Sequence, residues 1–365
     1  MNLSNLDALK QVFFNLNYNM DKQTILVTGG SGYIASWVIH YLLEEGYSVR
    51  ATVRDKSNEY KIEHLNDWVK KHPGSFEVFE SDLLVEASFD AAVDGCDIVM
   101  HTASPFLMGG IKNPQKQLVD PALKGTRNVL GSVNQSPKVK RVVLTSSIAA
   151  IYGNAKEALS LPNNTYNESH WNTLSSLTNE RYKYSKTLAE KEAWKMYESQ
   201  NNWDLFVINP GFVLGPPLSK RTDSESIRFG VDIVKGKFKA GIPDFTFSVV
   251  DVRDVARAHI NAAFTGSDPG RHIAVAEGIS ALDFMKIIDN HFKGSVPVPK
   301  RTVSKMIMYL IAPMIGLKRS FIKDNVGYPH HFDNSKIKKN LSLKFLKFEK
   351  TIIDQIQYIL DNKLQ

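Results

Sequence analysis

The chain has 365 residues, 43% of them hydrophobic and 23% charged, with a formal net charge of +7 and a pI near 9.1. This composition is typical of a soluble globular protein with one large domain or two moderate ones. A single cysteine, Cys96, excludes an internal disulfide and a cysteine-based zinc site, and it suits a reducing cytoplasm.

The positive charge is spread along the chain, which argues against a nucleic-acid partner. We expect no membrane span, because no apolar run reaches the ~20 residues that a span needs. Residues 1–20 lack the pattern of a secretory signal, and we interpret them as an N-terminal leader that can be disordered. These features predict a cytoplasmic location.

Short apolar runs alternate with helical patterns in the first part of the chain. The predicted strands are residues 24–28, 47–53, 76–80, 97–101, 140–145 and 205–209, and the predicted helices are 33–45, 121–133 and 182–198. This alternation predicts a doubly wound α/β fold, in which helices cover both faces of a parallel sheet.

The pattern becomes less regular after Pro210, where glycine and proline cluster. We therefore predict a larger domain over residues 21–211 and a smaller C-terminal part over residues 212–365, which forms the other wall of a cleft. Residues 247–264 again resemble a strand followed by a helix, with Asp254 in its first turn. Residues 247–275 are expected to pack back on the larger domain.

A glycine-rich turn lies between the first strand and the first helix. Its fingerprint is Gly29-x-x-Gly32-x-x-Ala35, and the residues expected to contact a dinucleotide are Gly29, Gly30, Ser31, Gly32, Tyr33 and Ile34. Gly29 permits the tight turn, Gly32 admits a pyrophosphate, and Ala35 packs helix against strand. The turn predicts a Rossmann-type dinucleotide-binding domain with phosphates at the helix N-terminus.

The second predicted strand indicates which dinucleotide binds. An NAD enzyme places an acid at the end of this strand, whereas here Val53 is followed by Arg54. A guanidinium suits the 2′-phosphate of NADP(H), and Lys61 adds a second positive charge. Asp55 is interpreted as a turn or cap residue. The predicted cofactor is therefore NADP(H).

Polar residues also follow the third and fourth strands, at the edge where such sheets bind ligands. Asp82-Leu83 is expected to meet the adenine, and the alternative is that Asp82 is a loop residue that caps the next helix. Thr102, Ala103 and Ser104 are expected to line the cofactor site. His101 is interpreted as a packed, hydrogen-bonded residue, and no metal site is predicted, since no second ligand has suitable spacing.

Three residues carry the predicted chemistry. Ser147 follows the fifth strand, and Tyr182 and Lys186 lie four apart, on one face of a helix. A positive neighbour would lower the pKa of Tyr182 from about 10. Tyr182 would then protonate a carbonyl oxygen that Ser147 holds by a hydrogen bond. Tyr184 is a weaker candidate because residue 188 is leucine.

In these motifs the chain resembles the extended short-chain dehydrogenase/reductases of the dihydroflavonol-4-reductase-like group, and especially their methylglyoxal and isovaleraldehyde reductases. The resemblance rests on TGGSGYIAS (28–36), VRATVRD (49–55), HTASPF (101–106), RVVLTSS (141–147), YKYSKTLAEKEAW (182–194), INPGFVLGP (208–216) and DVRDVARAH (251–259). It implies that Ser147, Tyr182 and Lys186 are catalytic and that Lys186 holds the nicotinamide ribose. It also implies that Pro210 and Val213 contact the nicotinamide, and that Arg54 and Lys61 take the 2′-phosphate.

The chain also departs from this pattern. Flavonoid-reducing members carry an asparagine five residues after the serine, whereas this chain has Tyr152, which disfavours flavonoid reduction. Residues 297–331 match no motif. Their apolar core, 306–317, can lie on a membrane surface or pack beside the substrate cleft, and we favour packing for 305–318. The pair His330-His331 is interpreted as a loop feature.

The predicted function is the NADPH-dependent reduction of a moderately apolar aldehyde or ketone, by a monomer or a homodimer. A 3β-hydroxysteroid dehydrogenase or an NAD-dependent sugar epimerase on the same scaffold is the alternative enzyme. A non-catalytic NADP(H)-sensing protein is the alternative of another class.

Overall fold

The computed structural model describes residues 23–104 and 112–364, so the predicted leader at 1–20 lies outside the described residues. The larger part of the chain alternates strands with helices. In chain order the elements are β1 (Thr24–Thr28), α1 (Tyr33–Glu44), β2 (Ser48–Val53), α2 (Glu59–Val69), β3 (Ser75–Glu80), α3 (Asp90–Val93), β4 (Ile98–His101), α4 (Asp120–Gln135), β5 (Arg141–Thr145), β6 (Thr165–Tyr166), α5 (Arg181–Glu198) and β7 (Asp204–Pro210).

The main sheet has seven parallel strands in the order β3-β2-β1-β4-β5-β7-β11, where β11 is Gly270–Ala274. Helix α1 covers one face, and helices α3, α4 and α5 cover the other. Successive strand residues point their side chains to opposite faces of the sheet: Val27 packs towards α1, whereas Leu26 packs towards α4. The predicted doubly wound parallel sheet is confirmed.

The remaining elements follow β7, and most of them form a second, smaller layer. They are β8 (Phe212–Leu214), α6 (Glu225–Val234), β9 (Ile242–Pro243), β10 (Thr246–Asp251), α7 (Val252–Phe264), β11, β12 (Glu277–Ser280), α8 (Ala281–Phe292), β13 (Thr302–Val303), α9 (Lys305–Ile311), α10 (Arg319–Asn325), β14 (His331–Phe332), α11 (Ser335–Asn340) and α12 (Phe348–Asp361). Strands β12, β10 and β8 form a three-stranded sheet, over which α8 and α12 pack.

The chain crosses between the two layers more than once. Helix α7 follows β10 of the small sheet but packs on α1 of the large one, and β11 then becomes an edge strand of the main sheet. Ile337 and Leu341, near the C-terminus, are also buried in that same core. Residues far beyond 211 therefore complete the larger layer.

Two expectations for residues 297–331 need correction. His331 is the first residue of a short strand, because β14 pairs with β6 in parallel, and His330 is buried beside it. Only one face of the apolar segment at 305–318 packs against the rest of the protein. Met308 and Ala312 are buried, whereas Met306 and Met314 are 74% and 86% exposed. Packing in a small core of its own therefore accounts for only one face of this segment.

Candidate active site

The predicted site residues come together at one edge of the main sheet. Strands β1 and β4 are neighbours whose connections run in opposite directions, which is the switch point where doubly wound sheets bind ligands. The glycine-rich turn follows β1, residues 102–104 follow β4, and Ser146-Ser147 follow β5. Parallel strands bring these three ends to the same edge.

The glycines of the turn are required by close packing. Gly29 has a φ of +68°, and a Cβ at this residue would lie 3.0 Å from the Cα of Ala103. A Cβ at Gly30 would lie 2.7 Å from the Cβ of Ala51, in the neighbouring strand. A Cβ at Gly32 would lie 3.0 Å from the carbonyl oxygen of Gly29. Because of these three glycines, few side-chain atoms surround the backbone where the helix begins.

The start of α1 suits an anionic group. Its N-cap is Gly32, which offers no side-chain acceptor to the first N–H groups. Those N–H groups and the positive end of the helix dipole favour a phosphate. Together with the bare glycine backbone, they fit a dinucleotide pyrophosphate.

Three cationic side chains surround this turn. Arg54 is exposed at the end of β2, and Lys61 lies in the first part of α2. Hydrogen bonds from Ser57 lower the pKa of Asp55, and Arg221 lowers the pKa of Asp223 against the effect of burial, while the charge of Lys61 adds a smaller contribution to both. Sequence reasoning missed the third cation, Arg221, whose Nη1 donates to the carbonyl oxygen of Ser31 at 2.5 Å. Asp55 accepts from the N–H and hydroxyl of Ser57, as expected of a turn residue.

The residues after β3 and β4 are held in the loops that were predicted. Asp82 Oδ1 accepts from the Leu84 N–H at 2.8 Å, so this carboxylate caps its own turn rather than the next helix. Leu83 is close to Gly125 of α4, and its carbonyl oxygen accepts from Asn128.

His101 is buried, and its Nδ1 shares a 2.8 Å hydrogen bond with Thr28 Oγ1. Thr28 Oγ1 also accepts from the N–H of Ala103, and Thr102 Oγ1 donates to the carbonyl oxygen of Thr28. These bonds fix the chain after β4 against the glycine-rich turn.

The structure brings Ser147 and Tyr182 into contact. Ser147 caps a 3₁₀ turn at Ile148–Ala150, where its Oγ accepts from the Ala149 N–H at 3.1 Å. Burial raises the pKa of the Tyr182 phenol well above its usual value, and a hydrogen bond with Ser147 lowers it by less. We expected charge to lower this pKa, but burial has the larger effect. The phenol of the protein therefore keeps its proton at neutral pH.

Lys186 is 7% exposed and points its amine at the sheet edge. Its Nζ donates to the carbonyl oxygen of Thr145 and to Ser104 Oγ, both at 3.3 Å. Burial lowers the pKa of this lysine to about 8, and the charge of Glu190 acts in the opposite direction. These residues, with His101, line a cavity of about 20 Å³, which has room for one water molecule.

Glu190 is the second residue that sequence reasoning missed. It is 1% exposed, lies one helical turn after Lys186, and forms an ion pair with Arg271 Nε at 2.6 Å. Its carboxylate also accepts from the side chains of Ser146 and Asn209. The helical spacing Tyr182–Lys186–Glu190 was a signal that could have identified it.

Tyr152 lies just after the 3₁₀ turn that Ser147 caps. Its ring stacks on His330 at a centroid distance of 5.3 Å, and Lys183 Nζ lies 3.7 Å from its centroid. Pro210 ends β7, where its carbonyl oxygen accepts from Ser147 Oγ at 3.5 Å, and Val213 pairs with Val250 in the small sheet. The two predicted nicotinamide neighbours therefore lie at the end of β7 and just beyond it.

Comparison with known proteins identifies this arrangement. Residues 25–276, more than half of the chain, match the model of the NAD dependent epimerase/dehydratase family. The chain belongs to this family. The match runs from the first strand through β11, so it includes every residue of the predicted catalytic set.

Curated relatives are reductases. The chain is 42% identical over 269 residues to cinnamoyl-CoA reductase CAD2 of Medicago truncatula, a match that covers 72% of this chain and 79% of the relative. It is 40% identical over 272 residues to tetraketide alpha-pyrone reductase 2 of Arabidopsis thaliana, covering 73% of this chain and 82% of the relative.

Comparison with solved structures also finds similarity to reductases. Yeast methylglyoxal/isovaleraldehyde reductase Gre2, in complex with NADPH, superposes with a TM-score of 0.77 at 28% identity, covering 93% of this chain and 99% of that one. The predicted membership of the extended short-chain dehydrogenase/reductases is confirmed, and the protein is an NAD(P)-dependent oxidoreductase of the reductase type. Among the described residues, no helix is long and apolar enough to cross a membrane.

Proposed function

We propose that this protein reduces a moderately apolar aldehyde or ketone to the alcohol with NADPH. The observation that carries the proposal is the contact between Ser147 and Tyr182, one helical turn from the buried amine of Lys186, at the sheet edge that bears the glycine-rich turn. The combination provides a proton donor and an oxygen-binding group beside a nicotinamide site.

The glycine-rich turn and the N–H groups of α1 would hold the pyrophosphate, and Arg54, Lys61 and Arg221 would hold the 2′-phosphate. Ser104 and Lys186 would hold the nicotinamide ribose. When bound, NADPH supplies hydride from C4 of its nicotinamide. The three cations favour NADPH over NADH because the latter lacks the third phosphate.

The proton comes from Tyr182. Because burial raises the pKa of this phenol, Tyr182 enters the reaction protonated, as an acid must. Ser147 donates a hydrogen bond to the carbonyl oxygen as negative charge develops on it. When the phenol releases its proton to that oxygen, the ammonium of Lys186 stabilises the phenolate that remains.

The experiment compares Tyr182→Phe with Tyr184→Phe in a spectrophotometric assay of NADPH oxidation. The carbonyl panel contains isovaleraldehyde, methylglyoxal, an aromatic ketone and cinnamoyl-CoA, since relatives carry the names of such substrates. Tyr182→Phe should lower kcat by about 10²- to 10⁴-fold, the usual size of a lost general acid. Its Kd for NADPH should change by less than about twofold, because the phenol is removed without a change in charge.

Tyr184→Phe controls for the loss of a neighbouring phenol and should keep its activity. Full activity of Tyr182→Phe would overturn the mechanism. Purified protein that retains NAD⁺ and catalyses no net oxidation would instead support an epimerase.

A further inference from the structure

The segment from β13 to α10 has one buried face and one exposed apolar face. Met308, Ala312, Ile322 and Val326 pack into a small core. The opposite face exposes Met306, Ile307, Tyr309, Leu310, Met314 and Ile315, with Leu310 62% and Met314 86% exposed. We call these six residues the apolar face.

This exposure is concentrated in one region of the described chain. Of the thirteen large hydrophobic side chains that are exposed there, six belong to the apolar face and three more, Leu159, Leu174 and Leu177, come from segments that touch the same part of the fold. Lys318 donates to the carbonyl oxygen of Thr178, next to Leu177, and Asn325 accepts from Ala155 at 3.1 Å, on the 3₁₀ turn that carries Leu159. Exposed apolar side chains concentrated in this way are typical of an interaction surface.

The chain segment that carries the apolar face is basic. Between Asp289 and Asp324 the chain has no acidic residue, and it has seven cationic ones: Lys293, Lys300, Arg301, Lys305, Lys318, Arg319 and Lys323. Arg301, Lys318, Arg319 and Lys323 are exposed. The guanidinium of Arg319 lies 5.5 Å from the centroid of the Tyr309 ring, so positive charge directly borders the apolar side chains.

The charge distribution distinguishes between the partners that could cover this face. A second copy of the chain, related by a two-fold axis, would place the same cations opposite one another at the contact. An anionic bilayer would accept the apolar side chains below its headgroups and the cations at its phosphates, as interfacial amphipathic helices do. We propose that the apolar face docks this protein onto an anionic lipid membrane, with Arg319 and Lys323 at the headgroups.

The test is sedimentation of the full chain with vesicles of phosphatidylcholine alone and of phosphatidylcholine with about one third phosphatidylserine. We expect binding to the anionic vesicles, weak binding to the neutral ones, and release by high salt, which screens surface charge. The apolar variant Leu310→Ser/Met314→Ser should weaken binding at least about tenfold, because two side chains no longer enter the bilayer. The charge variant Arg319→Gln/Lys323→Gln should also weaken it about tenfold, and more strongly at low salt.

A matched control is Leu84→Ser/Val85→Ser, which removes two side chains that are similarly exposed, at 54% and 55%, in a loop without this charge. It should bind like the unaltered protein, and an unchanged thermal unfolding midpoint would show that each variant is folded. Absence of binding to anionic vesicles, or equal loss in the control, would overturn the proposal. So would a dimer in sedimentation velocity that the apolar variant dissociates, since the face would then be covered by a second copy.

Discussion

Arg54 is an exposed side chain, and its proposed role in binding the 2′-phosphate depends on two further cations, Lys61 and Arg221. The charge of Lys61 reaches Asp55, the neighbour of Arg54, and it also reaches Asp223, which pairs with Arg221. Arg221 in turn contacts the glycine-rich turn through Ser31. Three chain segments therefore place positive charge around one proposed phosphate site.

Replacing Arg54 by Gln should raise the Kd for NADPH by about ten- to a hundredfold, since hydrogen bonds to charged groups contribute about 1.5–3 kcal/mol. The Kd for NADH should stay within about twofold, because NADH has no 2′-phosphate. Titration of nucleotide fluorescence measures both constants. Lys70→Gln, at the exposed far end of α2, is the control and should leave both unchanged. Equal losses for the two nucleotides would show that Arg54 does not recognise the 2′-phosphate.

The difference between Arg54 and Arg221 shows what a sequence can reveal at this scale. Arg54 follows a predictable strand, and Lys186 and Tyr182 lie at helical spacing, so local pattern is enough to place them. Arg221 meets Ser31 across 190 residues of chain, in an irregular region that has no periodic signal. Only the tertiary fold can reveal such a contact. Six of the seven main-sheet strands were predictable for the same reason that Arg54 was, because each is a short local pattern, whereas the edge strand β11 was not predicted.

Two aspartates, Asp251 and Asp254, fix the N-terminal end of helix α7. Asp251 caps its first turn through a 2.8 Å bond from the Arg253 N–H and also pairs with the Arg253 side chain. Asp254 is 5% exposed and accepts from the N–H of Leu346 at 2.9 Å. Burial raises the pKa of Asp254 from 3.8 to about 7, so this carboxyl is neutral over much of the acid range.

The raised pKa of Asp254 predicts a pH dependence of stability. Between pH 3.8 and about 7 the folded state keeps a proton that the unfolded state has lost. Its contribution to the free energy of unfolding is therefore complete below pH 3.8 and falls as pH rises through this window, by up to about 1.4 kcal/mol per pH unit. Asp254→Asn keeps an acceptor for Leu346 and does not titrate. Urea unfolding at a series of pH values should show that the variant lacks this slope and exceeds the unaltered protein at pH 7. Parallel curves of unfolding free energy against pH for the two proteins would contradict this prediction.

At the scale of helices, the sequence analysis predicted neither α9 nor its environment. The apolar run at 306–317 was compatible with packing beside the cleft and with a membrane surface, because an apolar run does not show which side chains find a partner. Only the folded chain shows that Met308 is buried while Met306 and Leu310 face outwards.

The buried pair Glu190–Arg271 joins distant parts of the molecule. Glu190 lies on α5 and binds the ends of β5 and β7 through Ser146 and Asn209. Arg271 lies on the edge strand β11, and its guanidinium also donates to the carbonyl oxygens of Glu168 and His170 and lies 3.9 Å from the Trp171 ring centroid. The pair thus ties helix α5 to a strand contributed by the later half of the chain.

Glu190→Gln should lower the free energy of unfolding by about 3–5 kcal/mol, because it leaves the buried guanidinium without its counter-charge. Glu192→Gln is the matched control on the same helix. Glu192 pairs with Arg127, whose side chain is 51% exposed, so its loss should cost at most about 1 kcal/mol. Denaturant unfolding of both variants measures the difference, and similar values would show that the buried pair does not stabilise the fold.

The glycine-rich turn is held from the far side of the cleft as well as by its own strand. The phenol of Tyr33 donates to the carbonyl oxygen of Gly215 at 2.6 Å, and the indole of Trp37 donates to that of Pro216 at 2.9 Å. The dinucleotide half is therefore not an exchangeable module. In a chimera joined at residue 211, the carbonyl oxygens at 215 and 216 that hold the turn and its helix would come from a different protein. Any redesign of its nucleotide preference would have to carry residues 215–221 along with the turn.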